Sequence, residues 1–333
     1  MAPSVLLALL AGVAFLVSCL GTLLLTGILQ RREMLDVPNE RSSHTVPVPR
    51  GGGIAVVGTI VIGWAGLTAA HLLGTRYLVV PAAAAGLALV SWIDDRRGLS
   101  PAPRLLAQIV AVAVTMAALP GGALFQGWLP PALDAIATAL LWVWFINLFN
   151  FMDGIDGIAG SEAVAIGLGL MLVASSGRML DLGIAFPAGV VVLAALGFLV
   201  WNWAPAKIIL GDVGSIPLGF LLGFLLRNLA LQGRWKAALI LPLYFLADAT
   251  LTLLRRLARG ERVWRPHREH FYQRAVQRGL SHDAVVLRVV AADVVLIGCA
   301  WAAENGWGFG GLAIAALTVA LLLGVLSRGA RRA

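Results

Sequence analysis

The chain is built from continuous apolar runs of about 20 residues, separated by polar or glycine-rich segments. Runs of this length match a bilayer-spanning helix, and they lack the alternation of barrel strands. Only helices and closed barrels satisfy their backbone groups in lipid. Hydrophobic residues make up 59% of the 333 residues and charged residues 13%, which excludes a soluble or disordered chain. The sequence therefore predicts an all-α, polytopic membrane bundle.

We count eleven candidate spans and predict a single transmembrane catalytic domain over residues 1–333. Alternate connections carry twenty basic residues on one side and four on the other, with Arg227 inside a run. By the positive-inside rule, the N-terminus lies outside and the C-terminus lies in the cytoplasm. The approximate runs are 4–28, 51–73, 77–93, 105–120, 132–151, 159–176, 184–203, 214–231, 237–254, 284–303 and 308–327. The cytoplasmic loops are then about 29–50, 94–104, 152–158, 204–213 and 255–283.

The net charge of +8 follows from this topology, and the absence of a basic soluble domain argues against nucleic-acid binding. Cys19 and Cys299 lie inside spans without metal-ligand spacing, which indicates packing residues. Acidic residues instead cluster at span ends on the predicted cytoplasmic side. A transporter more often carries ionisable groups at mid-span, where we find Asp248 and Asp293. This distribution favours chemistry between a cytosolic substrate and a lipid.

Two loops carry the first candidate groups, and each has two interpretations. Arg50 and three glycines lead into an apolar run. In one interpretation, the backbone N–H groups of the glycines bind an anion at the start of the following helix; in the other, the segment is a flexible turn. Asp94 and Asp95 are adjacent carboxylates that suit a base or a Mg²⁺ site. The alternative pairs them with Arg96 and Arg97 as a solvated charge cluster.

A third segment combines amides and carboxylates next to glycine. If the helix persists through Asp153, then Asn147, Asn150 and Asp153 share one face, and Asp156 follows on a glycine turn. Such groups at a span end are unfavourable unless a polar partner meets them. This segment therefore indicates a functional site.

Two further segments offer groups for phosphate. Asp212 lies between glycines ahead of an apolar run, with Asn202 before it, so it is a helix N-cap or part of a diphosphate and Mg²⁺ site. The last basic loop contains His267, Arg268 and His270, which offer directed donors to phosphate oxygens as well as charge. The alternative for that loop is attraction to anionic head groups.

Together these segments resemble the polyprenyl-phosphate N-acetylhexosamine-1-phosphate transferase superfamily, also called glycosyltransferase family 4. The match runs from residue 41 to residue 274 in the order RSSHTVPVPRGGGIA, DDRRGLSPAPRLLAQ, NLFNFMDGIDGIAG, PAKIILGDVGSIPLG and RPHREHFYQR. The resemblance implies transfer of a sugar 1-phosphate from a UDP-sugar to undecaprenyl phosphate, with release of UMP. It also implies dependence on Mg²⁺, for which Mn²⁺ substitutes, and a cytoplasm-facing site in the bacterial inner membrane. A homodimer is compatible with it.

The resemblance assigns roles to matched positions. Asp212 is the principal Mg²⁺ ligand, and Asp94 is a second ligand that lies with Asp95 near the lipid phosphate. The other catalytic positions are Asp153, Asp156 and His267. The positions assigned to binding of nucleotide, phosphates or sugar are Arg50, Gly51, Gly52, Asn147, Asn150, Asn202, Arg268 and His270.

Two departures bear on the substrate. Ile209 stands where the family often has an aromatic residue, and the histidine run of the peptidoglycan branch is missing. The chain looks more like initiators of O-antigen and surface polysaccharide, whose donors are UDP-N-acetylglucosamine or 6-deoxy relatives such as UDP-N-acetylfucosamine and UDP-N-acetylquinovosamine. The alternatives are a phospho-N-acetylmuramoyl-pentapeptide transferase, a transporter or flippase of lipid-linked sugar, and an intramembrane prenyltransferase.

Overall fold

The computed structural model describes residues 3–36, 46–119, 121–177, 180–262 and 267–328. The chain is 77% helical, which confirms the all-α prediction. Two short strands, β1 (Leu35–Asp36) and β2 (Val48–Pro49), form one antiparallel pair. The helices are α1 (Pro3–Arg31), α2 (Gly53–Ala69), α3 (Val79–Arg97), α4 (Pro101–Ala118), α5 (Pro131–Phe151), α6 (Ile158–Ala174), α7 (Leu182–Asn202), α8 (Asp212–Leu231), α9 (Trp235–Ile240), α10 (Leu243–Ala258), α11 (Phe271–Gln277), α12 (His282–Ala302) and α13 (Phe309–Arg328).

Eight of the described helices are long and apolar enough to cross a membrane, and α2 and α6 are shorter apolar helices. This confirms a polytopic membrane bundle, while the eleven-span count and the orientation stay predictions. The expected run 237–254 is broken, since α9 ends at Ile240 and α10 begins at Leu243. Pro242 lies at the break, where its missing N–H and its ring oppose a continuous helix.

Helix α8 is the centre of the bundle. In its most apolar stretch of 18 residues, 94% of the residues are buried inside the protein. The corresponding share is 22% to 56% for the other helices that are long enough to span a membrane. Glycines let α5 approach it closely: a Cβ at Gly219 would lie 3.0 Å from Cα of Ile146, and one at Gly223 would lie 2.6 Å from Cδ1 of Trp142. This packing fixes the first turn of α8 among the ends of its neighbours, which positions the candidate site.

Candidate active site

Ion pairs join the end of α3, the first turn of α4, the start of α8 and the residue after β2. Arg50 Nη2 lies 2.9 Å from Asp95 Oδ1 and 2.9 Å from Asp212 Oδ1. Arg104 Nη1 lies 2.8 Å from Asp94 Oδ2 and 3.6 Å from Asp212 Oδ2. Three aspartates from two distant segments therefore meet at one place, with Asp212 shared between the two arginines.

Asp94 and Asp95 have different partners because adjacent helical residues point about 100° apart. Asp94 also accepts a hydrogen bond from Leu99 N at 2.7 Å, which holds the turn after α3. Asp95 Oδ2 accepts one from Val213 N at 3.2 Å, in the first turn of α8. The arginines that pair with the two carboxylates are thus Arg50, from a distant segment, and Arg104, ten residues after Asp94. The interpretation that paired the carboxylates with residues 96–97 is wrong.

The amides of α5 face this group. Asn150 Nδ2 donates to Asp212 Oδ1 at 3.2 Å and to Ser215 Oγ at 2.8 Å. One turn earlier, Asn147 Nδ2 donates to Gln108 Oε1 of α4 at 2.6 Å. Asn150 therefore touches the shared aspartate directly, whereas Asn147 links α5 to α4.

Asp153 lies beyond the end of α5, which stops at Phe151, so the expected continuous helical face ends before it. Burial and the nearby charge of Asp212 raise the pKa of Asp153 to about 7, although Arg50 acts in the opposite direction. Burial disfavours the charge of Arg50 as well, but Asp212 and Asp95 outweigh it and raise the pKa of Arg50. Asp153 is therefore about half protonated at neutral pH.

We call Asp94, Asp95, Asp153 and Asp212 the acidic cluster. Its four carboxylates face the two ion-paired arginines, so it has an excess of negative charge. Among the described residues, no group of three or more His, Cys, Asp or Glu side chains is arranged to hold a metal ion by itself. Mg²⁺ usually takes one or two carboxylates together with phosphate oxygens and waters. The donor set therefore fits a Mg²⁺ ion that arrives with a phosphate substrate.

The glycines after Arg50 serve close backbone packing. The N–H groups of residues 51 and 52 donate to Ile209 O at 3.1 and 2.9 Å, and Gly53 N donates to Leu210 O at 2.9 Å. A Cβ at Gly53 would lie 2.2 Å from Cα of Gly214. These N–H groups are engaged, so they do not form the anion contact expected from the sequence, and the segment is not a free turn either.

Asn202 and Asp156 hold two loops together. Asn202 Oδ1 accepts a hydrogen bond from Gly157 N at 3.0 Å, and its Nδ2 donates to Ile208 O at 2.9 Å. Asp156 Oδ2 accepts one from Ala206 N at 3.1 Å and lies 3.2 Å from the imidazole of the first residue of α12. The structure thus gives both side chains backbone partners, and their roles in substrate binding stay predictions.

The segment that contains His267 and His270 is held in place by Asp248, a carboxylate in the middle of a predicted span. The buried carboxylate of Asp248 accepts hydrogen bonds from Phe271 N at 2.9 Å and Tyr272 N at 3.3 Å, and it lies 3.2 Å from His270 Nδ1. Asp248 therefore holds the first turn of α11. The sequence carried no signal for this contact, because 22 residues separate Asp248 from His270 without a recognisable spacing.

His267 and the half-buried Arg268 precede this turn. The ring centroids of His267 and His270 are 4.8 Å apart. Burial and the neighbouring His270 lower the pKa of His267 to about 4, so its ring is neutral at pH 7. Tyr272 Oη donates to Phe151 O at 3.0 Å, which joins α11 to the loop that carries Asp153.

Parts of two predicted motifs, residues 41–45 and 265–266, lie outside the described residues. Several residues that contact the predicted site positions were not predicted themselves: Arg104, Gln108, Ser215, Asp248 and His282. Arg104 was within reach of the sequence, because it belongs to the DDRRGLSPAPR segment that we singled out.

Fold and site together define a polytopic membrane protein that gathers carboxylates and arginines at the ends of its spans. Residues 77–229 match the glycosyl transferase family 4 model. The chain is 31% identical over 295 residues to a probable undecaprenyl-phosphate N-acetylglucosaminyl 1-phosphate transferase of Bacillus subtilis, covering 83% of this chain and 80% of that protein. It is 31% identical over 287 residues to the decaprenyl-phosphate N-acetylglucosaminephosphotransferase of Mycobacterium tuberculosis, covering 75% and 70%. It is 30% identical over 266 residues to a phospho-N-acetylmuramoyl-pentapeptide-transferase of Saccharopolyspora erythraea, covering 64% and 72%.

The chain therefore belongs to the polyprenyl-phosphate N-acetylhexosamine-1-phosphate transferase superfamily, glycosyltransferase family 4. This confirms the resemblance drawn from the five motifs. The relatives are phosphotransferases, so the enzyme class follows from membership, while the sugar, the metal and the residue roles do not.

Proposed function

We propose that this protein transfers N-acetylhexosamine 1-phosphate from a UDP-sugar to undecaprenyl phosphate and releases UMP, as the first membrane step of a cell-envelope polysaccharide. The proposed donor is UDP-N-acetylglucosamine or a 6-deoxy relative. The names of the Bacillus and Mycobacterium relatives support a polyprenyl phosphate acceptor and an N-acetylglucosamine donor. The acidic cluster carries the proposal, because it offers charged and polar groups at a span end, where a lipid phosphate and a cytosolic nucleotide can meet.

The proposed reaction is a direct displacement at phosphorus. An oxygen of the lipid phosphate forms a bond to the sugar-linked phosphorus, and the bond from that phosphorus to the UMP oxygen breaks. One diphosphate linkage replaces another, so catalysis comes chiefly from positioning and charge neutralisation. Arg50 and Arg104 supply the positive charge of the described site.

Either a carboxylate of the acidic cluster removes the remaining proton of the lipid phosphate, or the reaction needs no base. A phosphate monoester has a second pKa near 6, so much of it is already a dianion at neutral pH. Asp94 and Asp95 form ion pairs with Arg104 and Arg50. Asp153 has a pKa of about 7, which suits a group that accepts and returns a proton near neutral pH.

Mg²⁺ belongs to the proposal. When bound, the ion would supply positive charge to offset that of the diphosphate and of the leaving group. Asp212 is the proposed main ligand. Asp153 lies nearby, and the charge of Asp212 contributes to the raised pKa of Asp153. The excess of carboxylates over arginines would otherwise repel the phosphates of both substrates.

The test is lipid-dependent release of UMP. Membranes containing the protein are incubated with Mg²⁺, undecaprenyl phosphate and a panel of UDP-N-acetyl sugars. Asp212→Ala is the loss-of-function variant, and Asp283→Asn, at the start of α12 and outside the cluster, is the matched control. We expect UMP from one sugar, loss of that signal in Asp212→Ala or with EDTA, and normal release in Asp283→Asn.

Other outcomes would redirect the assignment. Release of UMP only from UDP-N-acetylmuramoyl-pentapeptide would identify the peptidoglycan step. Folded protein that binds lipid-linked sugar but never releases UMP from any donor would refute the transferase and favour transport. UMP release that is unaffected by EDTA would refute the metal.

A further inference from the structure

Two carboxyl groups that the proposed reaction does not use face each other inside the bundle. Glu162 lies near the start of α6, and Asp293 lies near the middle of α12. These two helices pack against each other, and the two side chains are close enough to form a hydrogen bond. Glu162 is 0% exposed and Asp293 is 2% exposed, so both carboxyl groups are removed from water.

Both carboxyl groups lack a donor among the described residues. The two oxygens of Glu162 and the two oxygens of Asp293 are buried without any hydrogen-bond donor. Tyr244 of α10 lies near Glu162, but its hydroxyl donates to Asp248 Oδ2 at 3.2 Å. The pair can therefore form its own hydrogen bond only if one member carries a proton, because an ionised carboxylate only accepts.

Positive charge is absent around the pair, as far as the described residues extend. No ion pair includes Glu162 or Asp293, and no lysine, arginine or histidine acts on either carboxyl group. Of the neighbouring helices, α7, α8, α9, α11 and α13 supply no charged group at the pair, and α10 supplies Tyr244 and, behind it, Asp248. Two like charges at this distance do not both ionise, and a buried carboxylate without a cation is strongly unfavourable.

The same set of oxygens does not suit a metal ion. Ca²⁺ takes about 6–8 oxygen ligands and Mg²⁺ about six. The pair offers four carboxyl oxygens, and no third His, Cys, Asp or Glu side chain joins them among the described residues. A proton needs only two facing oxygens, one to carry it and one to accept the hydrogen bond.

We propose that Glu162 and Asp293 form a proton-binding site, in which one carboxylic acid donates a hydrogen bond to the other carboxyl group at neutral pH. A carboxylate takes up H⁺ from water, an O–H bond forms, and no other reactant is needed. The bound proton removes the repulsion between the two charges and fastens α6 to α12. The proposal is independent of the proposed transfer reaction.

The position of the pair gives the proton a consequence for the candidate active site. Helix α6 begins directly after the loop that carries Asp156, and α12 begins at His282. His282 Nδ1 lies 3.2 Å from Asp156 Oδ2. The contact between α6 and α12 therefore also holds these two side chains together, and a proton that stabilises the helix pair stabilises their arrangement.

The first test is infrared spectroscopy of the purified protein in detergent at pH 8, because a protonated carboxylic acid has a carbonyl stretching band that a carboxylate lacks. We expect this band in the wild-type spectrum and its loss in the difference from the double variant Glu162→Gln/Asp293→Asn. The difference spectrum isolates the pair, since Asp153 and the other carboxyl groups are present in both proteins. Asp283→Asn, at the start of α12 and outside the pair, is the matched control and should keep the band.

Thermal unfolding measures the fastening of α6 to α12. The folded wild type holds a proton that the unfolded chain releases near neutral pH, so its Tm should fall as pH rises from 6 to 9. The double variant should show a smaller fall, because its two amides form a hydrogen bond without titrating. If it does not fold, Glu162→Met/Asp293→Leu replaces the pair by apolar side chains of similar size and should also lack the infrared band.

Three results would overturn the proposal. Identical wild-type and double-variant spectra would show that both carboxylates are ionised. Loss of the wild-type band when NaCl replaces choline chloride would identify a sodium site in place of a proton site. An equal dependence of Tm on pH in wild type and double variant would show that the proton does not fasten the two helices.

Discussion

Replacing Asp153 by Asn should make the protein more stable and less active. Burial and the neighbouring Asp212 raise the pKa of Asp153 from 3.8 to about 7, so the ionised carboxylate is disfavoured in the folded state. Each pKa unit corresponds to about 1.4 kcal/mol, and the whole shift to about 4 kcal/mol. Solvent reaches part of the side chain, which reduces the expected gain to about 1–2 kcal/mol.

The gain in stability from Asp153→Asn depends on pH, because folding raises the pKa of Asp153. The folded protein holds the Asp153 proton more tightly than the unfolded chain does, so wild-type stability falls as pH rises from about 4 to about 7. The amide introduced by Asp153→Asn does not titrate. The stability difference should therefore be less than half of its full size at pH 5 and reach its full size at pH 8.

Thermal unfolding in detergent, followed by tryptophan fluorescence at both pH values, measures this difference. We expect a rise in Tm of about 1–3 °C for Asp153→Asn at pH 8. Release of UMP should fall by about 100-fold or more, since the variant loses a charged group of the proposed site. An equal Tm gain at pH 5 and pH 8, or a lower Tm at pH 8, would refute the electrostatic reasoning; unchanged UMP release would remove Asp153 from the machinery.

Three further outcomes follow from the packing and the hydrogen bonds. Gly53→Ala should destabilise the protein by about 3 kcal/mol or more in thermal unfolding, because its Cβ would overlap the backbone of α8, whereas Gly58→Ala, with open space around it, should be neutral. Asp248→Asn should increase hydrogen exchange at Phe271 N by about tenfold, because an amide accepts fewer hydrogen bonds than a carboxylate, and unchanged exchange would contradict its capping role. His267→Gln should lower kcat/KM by the same factor at pH 6 and pH 8, because the pKa of His267 is about 4; a pH-dependent factor would show that the ring is charged.

The sequence predicted which residues form the site better than it predicted their contacts. Asp94, Asp95 and Asp212 were identified from their positions at span ends, and the structure brings them together. One of their arginine partners is distant in sequence: Arg50 and Asp212 are 162 residues apart. Periodicity and local spacing describe neighbours within a helix turn, so they do not reveal such a pair.

The glycines after Arg50 show the same limit. Three glycines before a helix are typical of an anion-binding turn, and the local pattern is identical when the glycines instead let two backbones touch. Only the position of α8 against α2 decides between them, because Ile209 and Leu210 take up the N–H groups.

The sequence by itself determined that this chain is an all-α membrane protein of a particular phosphotransferase superfamily. Length and apolarity of a run are matched against the bilayer one segment at a time, and motif identity is read residue by residue. Tertiary structure alone decided that α8 is the buried centre, that Asp248 holds the turn of α11, and that Glu162 faces Asp293. Those features depend on packing between segments distant in the chain, for which a single sequence carries no local signal.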